Sequence, residues 1–301
     1  MSIPHPAIRI PESNAPLFNQ MTIVGTGLIG GSLALASRSA GTVGSVVGVG
    51  RSATSREVAL ARGLVERTTD DLAAGVQGAD LVVLAVPVHE IVRLLPEVAR
   101  HVGATCLVTD VGSVKGPILA AGDAAFPDGR FVAGHPIAGK EQSGPAAARA
   151  DLYQGANWIL TPSAHTRAEA LERVGALCRA AGANVVQMGA TWHDEVFATV
   201  SHLPHLVAYA LMDTVLTTER GEERLRFSAG GLRDFTRVAG SDPVMWRDIF
   251  LMNREPVLRV LAGYQQALER LAAAIRDGDG EALTDRLLQA RAAREELLHR
   301  S

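Results

Sequence analysis

Apolar and polar positions alternate in two different ways along this chain. From about residue 20 to 188, short β-branched apolar runs are separated by stretches with helical spacing. The runs are MTIVG (21–25), SVVGV (45–49), DLVVLAV (80–86), TCLVTD (105–110), RFVAG (130–134), NWILT (157–161) and NVVQM (184–188). Near-continuous apolar character suits strands covered on both faces, as in a parallel sheet. Intervening segments such as LIGGSLALASRSA and TRAEALERVGALCRAAG place apolar residues three and four apart, as helices do. The alternation predicts a doubly wound, mostly parallel α/β sheet.

From about residue 191 the strand-like runs stop. Four segments, 193–216, 231–239, 243–278 and 280–300, read as helices. Their apolar stripes need cover, from a core of their own or across a dimer interface. The first 18 residues hold four prolines (Pro4, Pro6, Pro11, Pro16) and no apolar run, which reads as an extended arm. The predicted organisation is therefore an arm over 1–19, an α/β domain over 20–189 and an all-α domain over 190–301.

Composition narrows the class. Hydrophobic residues make up 47% of the 301 residues and charged residues 20%, enough apolar surface for the cores of two globular domains. A net charge of −3 provides no general attraction for nucleic acid or anionic membrane, and 4% aromatics argues against a base-stacking platform. The longest apolar stretch, 81–88, falls far short of the ~18 residues of a membrane span. Cys106 and Cys178 cannot form a disulfide framework, so a reducing cytoplasm is expected. Only two of the 29 basic residues are lysines, Lys115 and Lys140.

The run Gly25-Thr26-Gly27-Leu28-Ile29-Gly30 follows a predicted strand and opens a predicted helix. In that setting GxGxxG is a dinucleotide-binding fingerprint and the sheet is Rossmann-like. Gly25 permits the tight turn, Gly27 the close approach of a pyrophosphate, and Gly30 the packing of helix on strand. Amides at the helix start hold the phosphates. Out of that setting the same residues are an ordinary glycine-rich turn.

An NAD site places Asp or Glu ~20 residues further on, against the ribose hydroxyls. Here the second strand runs into Gly50-Arg51-Ser52, with Thr54 and Arg56 nearby and no acid. A guanidinium fork and hydroxyls suit an adenosine 2′-phosphate, which points to NADP. The other reading is a solvated loop, with NAD bound through backbone groups.

Ligands of an open α/β sheet lie beyond the carboxyl ends of its strands. Val86, Asp110-Val111-Gly112-Ser113-Val114-Lys115 and Gly134-His135-Pro136 all occupy such ends, so Val86, Ser113 and His135 are candidates to face a cofactor. His135, read as lying in a loop, is either an acid–base group or a structural histidine. Ser201-His202-Leu203-Pro204-His205 sets two histidines one turn apart; no HExxH pattern or cysteine accompanies them, so no metal site is expected.

Taken together, GTGLIGGS (25–32), DVGSVK (110–115), GHPIAG (134–139) with Glu141 and Ser143-Gly144, SHLPH (201–205) and the block 231–250 containing RDFTRVAGSDPVMWRDIF resemble the prephenate/arogenate (cyclohexadienyl) dehydrogenase family of tyrosine biosynthesis. They occur in that family's order from about residue 21 to 255. The resemblance implies an oxidative decarboxylation: hydride leaves C4 of a cyclohexadienol for the nicotinamide, the C1 carboxylate departs as carbon dioxide, and the ring becomes aromatic. Prephenate would give 4-hydroxyphenylpyruvate, and arogenate tyrosine. It also implies a homodimer joined through the C-terminal helices.

The C4 hydroxyl must lose its proton as hydride leaves, which calls for a base; a neutral histidine suits this near neutral pH. By resemblance that base is His135, with Ser113 near the same hydroxyl and the nicotinamide. Arg237 matches the substrate-binding arginine, and a guanidinium fork fits the substrate carboxylates. Ser201, His205 and Trp246 match further pocket positions, and Arg233 lies one turn before Arg237. For Arg233 a solvated arginine, and for Trp246 a core tryptophan, remain equal readings. The chemistry requires no metal.

Some family members carry a fused chorismate mutase or a C-terminal ACT domain; with the fingerprint starting at Gly25 and helices filling the chain to Ser301, neither fusion is expected. Two other classes compete. A different β-hydroxyacid dehydrogenase would use a lysine in the helical region, where this chain has none. A non-catalytic dinucleotide-sensing regulator would explain the fingerprint but not His135, Ser201, His205 and Arg237 together.

Overall fold

The computed structural model describes residues 15–139 and 142–299. Most of the predicted arm (its first fourteen residues), together with Lys140 and Glu141, lies outside the described residues. The chain forms two compact units, one running to Asp194 and including Ser241–Met252, the other comprising Glu195–Gly240 and the chain from Asn253 onward.

The first unit runs β1 (Phe18–Val24), α1 (Leu28–Ser39), β2 (Val43–Val49), α2 (Ala53–Ala61), β3 (Arg67–Thr69), α3 (Leu72–Val76), β4 (Leu81–Leu84), α4 (Val88–His101), β5 (Leu107–Asp110), α5 (Gly116–Ala125), β6 (Phe131–Val132), β7 (Gly134–Pro136), β8 (Asn157–Leu160), α6 (Ala168–Ala180) and β9 (Asn184–Gln187). The first six strands form one all-parallel sheet in the order β3-β2-β1-β4-β5-β6. This is the order of a dinucleotide-binding Rossmann sheet, as the apolar runs predict. Every residue of β4 is buried, as expected of a central parallel strand covered on both faces.

Two of the predicted runs leave this sheet. β8 and β9 pair in parallel, and β7 adds antiparallel to β8, giving a separate three-stranded sheet. Its core is continuous with the larger one. Trp158 and Leu160 of β8 join Ile23, Leu33 and Val83 in one buried cluster. The Tyr153 ring lies 4.9 Å from that of Trp158, and its hydroxyl donates to the Ile29 carbonyl at 2.5 Å. The first turn of α1 is thereby tied to the smaller sheet.

The remaining helices are α7 (Ala190–Phe197), α8 (Leu203–Thr217), α9 (Gly221–Leu225), α10 (Gly230–Thr236), α11 (Pro243–Met252), α12 (Arg254–Asp277) and α13 (Gly280–His299). Among the described residues no strand follows Gln187. Two expected single helices are interrupted. The stretch 193–216 contains a π-turn over Ala198–His202, closed by Leu203 N–H on the Ala198 carbonyl just before Pro204, which has no N–H to donate. The stretch 243–278 breaks at Asn253, whose backbone is non-helical (φ −102°, ψ 32°) and whose side-chain amide hydrogen-bonds the buried His202 ring at 3.0 Å. Within the second unit α12 packs against α13, and α10 and the 3₁₀ turn Arg237–Gly240 pack against α8. No described helix is long and apolar enough to cross a membrane.

Candidate active site

The fingerprint lies where β1 delivers it. Gly25 has φ +98°, and a β-carbon there would come within 2.3 Å of the Ala85 carbonyl oxygen and 2.9 Å of Val86. Gly30 is equally closed: an added β-carbon would lie 2.2 Å from the Gly25 carbonyl. Gly27 differs, because its missing β-carbon would meet nothing within 4 Å. Protein packing therefore explains the first and third glycines but not the second. An open glycine at the start of α1 fits a cradle left for a pyrophosphate. Thr26, Leu28 and Gly30 are buried, while Gly27 and Ile29 retain some exposure.

Beyond β2, Arg51 and Ser52 are exposed. The Ser52 hydroxyl caps α2 by accepting the Ser55 N–H at 3.2 Å. Arg56 braces the turn, its Nη1 donating to the Gly50 and Arg51 carbonyls at 2.7 and 3.0 Å and its Nη2 pairing with Asp70 at 3.1 Å. Arg56 is thus occupied in holding the loop, while Arg51 is exposed beside it, its charge helping to lower the Glu90 pKa after the larger effect of Arg93. Asp70 brings an acid from the end of β3 that the sequence around β2 does not reveal.

Ser113 and His135 are tied together through Asp110, the last residue of β5. One Asp110 carboxylate oxygen accepts Gly134 N–H at 3.1 Å; the other accepts Gly112 N–H at 2.7 Å and the Lys115 ammonium at 2.5 Å. Lys115 also donates to the Gly134 carbonyl at 2.6 Å. Burial pushes the Lys115 ammonium below its ordinary pKa, against the opposing pull of Asp110. This charged knot fixes the two segments that carry Ser113 and His135.

His135 is not in a loop. It lies in β7, opposite Ile159 of β8, because Gly134 and Pro136 complete an antiparallel pairing that a Gly-His-Pro sequence does not advertise. The half-buried ring approaches a residue absent from the expected set: His135 Nδ1 lies 2.8 Å from Nε2 of the fully buried His193. His193 Nδ1 in turn lies 2.8 Å from an Asp194 oxygen. Burial above all lowers the His193 pKa, with Lys115 adding to the effect and Asp194 opposing it. The only hint in the sequence is the pair His193-Asp194 at the start of a helical stretch, 58 residues from His135.

Trp246 also belongs to the first unit, buried on α11 with its ring 5.3 Å from Phe250. Ser201, His205, Arg233 and Arg237 belong to the second. There the π-turn sets Ser201 so that its carbonyl accepts the His205 Nδ1 proton at 2.9 Å. The His205 pKa is lowered mainly by burial, with the nearby Arg237 charge adding to it. Arg233 is exposed on α10, and Arg237 is exposed at the start of the 3₁₀ turn that follows.

Family models match almost the whole of the described chain. The prephenate dehydrogenase nucleotide-binding domain matches residues 33–187, and the prephenate dehydrogenase dimerization domain matches residues 189–289. The chain is 36% identical to a cyclohexadienyl dehydrogenase of Zymomonas mobilis, covering 92% of this chain and 96% of the relative. It is also 36% identical to a prephenate dehydrogenase of Bacillus subtilis, covering 87% and 71%. Among solved structures, the A. aeolicus prephenate dehydrogenase in complex with hydroxyphenyl propionate and NAD+ superposes with a TM-score of 0.86 at 36% identity, covering 93% of this chain and 98% of that one. A Synechocystis arogenate dehydrogenase gives 0.78 at 30% identity, covering 92% and 99%. The nucleotide cradle at Gly27 and these matches along both units lead to one conclusion: the chain belongs to the prephenate dehydrogenase family.

Proposed function

We propose that this protein catalyses the oxidative decarboxylation of prephenate to 4-hydroxyphenylpyruvate in tyrosine synthesis, with NADP preferred over NAD as oxidant. The observation that carries the reading is His135. It is a histidine fixed on a strand, following β6 at the same carboxyl edge of the parallel sheet that delivers the fingerprint after β1 and Ser113 after β5.

Gly25, Thr26, Gly27, Leu28, Ile29 and Gly30 hold the pyrophosphate, with Val86 packed beside the first turn. Arg51 and Ser52 take the 2′-phosphate. The bound nicotinamide supplies a hydride acceptor. His135 accepts the proton of the substrate's C4 hydroxyl, and Ser113 hydrogen-bonds the same hydroxyl. Loss of that proton together with departure of the C4 hydride gives C4 carbonyl character; the electron pair of the C1–carboxylate bond then passes through the ring to the C4 oxygen as carbon dioxide leaves, and the ring becomes aromatic. Arg237 binds a substrate carboxylate, aided by Arg233. Ser201, His205 and Trp246 complete the recognition of the ring and its side chain.

The reading extends to a homodimer formed by the region that matches the family's dimerization domain. In support, α13 has no buried residue, and Phe227 (88% exposed), Leu216, Ile275 and Leu287 leave apolar surface open on the second unit. It also places the enzyme in the cytoplasm, in keeping with two buried cysteines that form no disulfide.

The decisive assay follows the reduced nicotinamide band with purified protein, NADP or NAD, and prephenate or arogenate. Turnover fastest with prephenate and NADP is expected. A faster reaction with arogenate would reassign the substrate, and silence in all four combinations would reject the dehydrogenase reading for this chain.

A further inference from the structure

The His135–His193–Asp194 series has a defined proton order, and it can be worked out from its far end. Asp194 uses one oxygen to accept Lys115 N–H at 2.7 Å and the other to accept Gly116 N–H at 2.8 Å, both at the start of α5. A carboxylate held by two backbone amides at a helix N-terminus is an acceptor. His193 Nδ1, 2.8 Å from the first of these oxygens, therefore donates. A neutral imidazole that donates through one nitrogen accepts through the other. His193 Nε2 is then an acceptor, and His135 Nδ1, 2.8 Å away, must carry the proton between them. By the same rule the lone pair of neutral His135 resides on Nε2.

We propose that His193 is a positioning residue for the His135 base, holding its Nδ1 proton and so reserving Nε2 for the proton of the substrate hydroxyl. This rests on the reading of His135 as that base. The hydroxyl O–H bond breaks, an Nε2–H bond forms, and the resulting imidazolium keeps its Nδ1–H bond to His193, with the Asp194 carboxylate beyond. Burial lowers the His193 pKa, which favours the neutral form that can accept. The charged groups facing His193 are Lys115, Asp110 and Asp194, two acids against one base. Without His193, the Nδ1 proton of His135 loses this acceptor, and the preference for an Nε2 lone pair is lost with it.

Nitrogen-15 NMR of histidine-labelled protein at pH 8, without substrate, tests the tautomer. His135, identified by the signals lost in His135→Asn, is expected to show a protonated Nδ1 and an unprotonated Nε2. The opposite tautomer would overturn the proposal whatever reaction the enzyme catalyses. Kinetics test the consequence. His193→Leu is expected to lower kcat on the order of 10²-fold with KM within about threefold, and to move the acid limb of the kcat–pH profile. His193→Gln, whose amide oxygen can accept the His135 proton, is expected to recover most of that loss. Equal activity of the two variants with an unmoved pH limb would reject the role. If His193→Leu does not fold, the wild-type tautomer and the Gln variant's pH profile still decide. Failure of the wild-type enzyme to turn over either substrate would reject the functional reading and leave the NMR result standing on its own.

Discussion

Lys115 and Asp110 meet as a fully buried ion pair, ammonium to carboxylate at 2.5 Å, with neither side chain exposed. Removing one partner strands the other charge in the interior. Lys115→Met is expected to destabilise the first unit by about 3–5 kcal/mol, and the double variant Lys115→Met/Asp110→Asn by less. Chemical denaturation followed by tryptophan fluorescence reads this cleanly, because Trp158, Trp192 and Trp246 all belong to that unit. A loss under about 1 kcal/mol would remove the pair from the structural account.

For the base, His135→Asn is expected to lower kcat by about 10²–10⁴-fold, while KM for prephenate changes far less. A kcat within about twofold of wild type would reassign His135 to a structural role.

Arg237→Gln separates binding from chemistry. A charged hydrogen bond to a carboxylate contributes about 1.5–3 kcal/mol, so KM is expected to rise about 10–150-fold with kcat largely kept. An unchanged KM would exclude contact with a substrate carboxylate.

The proposed NADP preference rests on Arg51, since Arg56 is engaged with Gly50, Arg51 and Asp70. Arg51→Ala is expected to weaken NADP binding at least about tenfold while NAD stays within about twofold, measured by titrating each reduced cofactor's fluorescence. An equal loss for both would end the 2′-phosphate assignment.

Acid should destabilise both units. The pKa values of His193 and His205 lie below the ordinary 6.5, mainly through burial. The unfolded chain therefore binds protons at these positions before the folded one does, so stability is fully present above pH 7, falls as pH drops below about 6.5, and levels off below the folded values. Melting temperatures at pH 7.5 and 5.5 should differ less in the double variant His193→Gln/His205→Gln than in wild type. An equal difference would assign the pH dependence to other groups.

What could be read from the sequence follows from how local each signal is. The first, second, fourth and fifth strands are apolar runs with both faces buried, and the fingerprint lies entirely within one strand–helix junction. β3 escapes because it has three residues, Arg67–Thr69, none of them aliphatic. β7 escapes because glycine and proline flank its single histidine, and its strand character comes only from β8, which arrives more than twenty residues later. The partnership of His135 with His193 is likewise created by tertiary packing, as is the approach of Asp70 to Arg56. Periodicity carries no information about such pairs.

Only Ala133 separates β6, hydrogen-bonded in the large sheet, from β7, hydrogen-bonded in the small one. Side chains alternate faces along a strand, so one residue gained or lost at that junction would turn His135 to the opposite face of its sheet. If His135 is the proposed base, the spacing from Val132 to His135 matters as much as the imidazole itself: an insertion here is expected to abolish turnover with every proposed catalytic side chain still present.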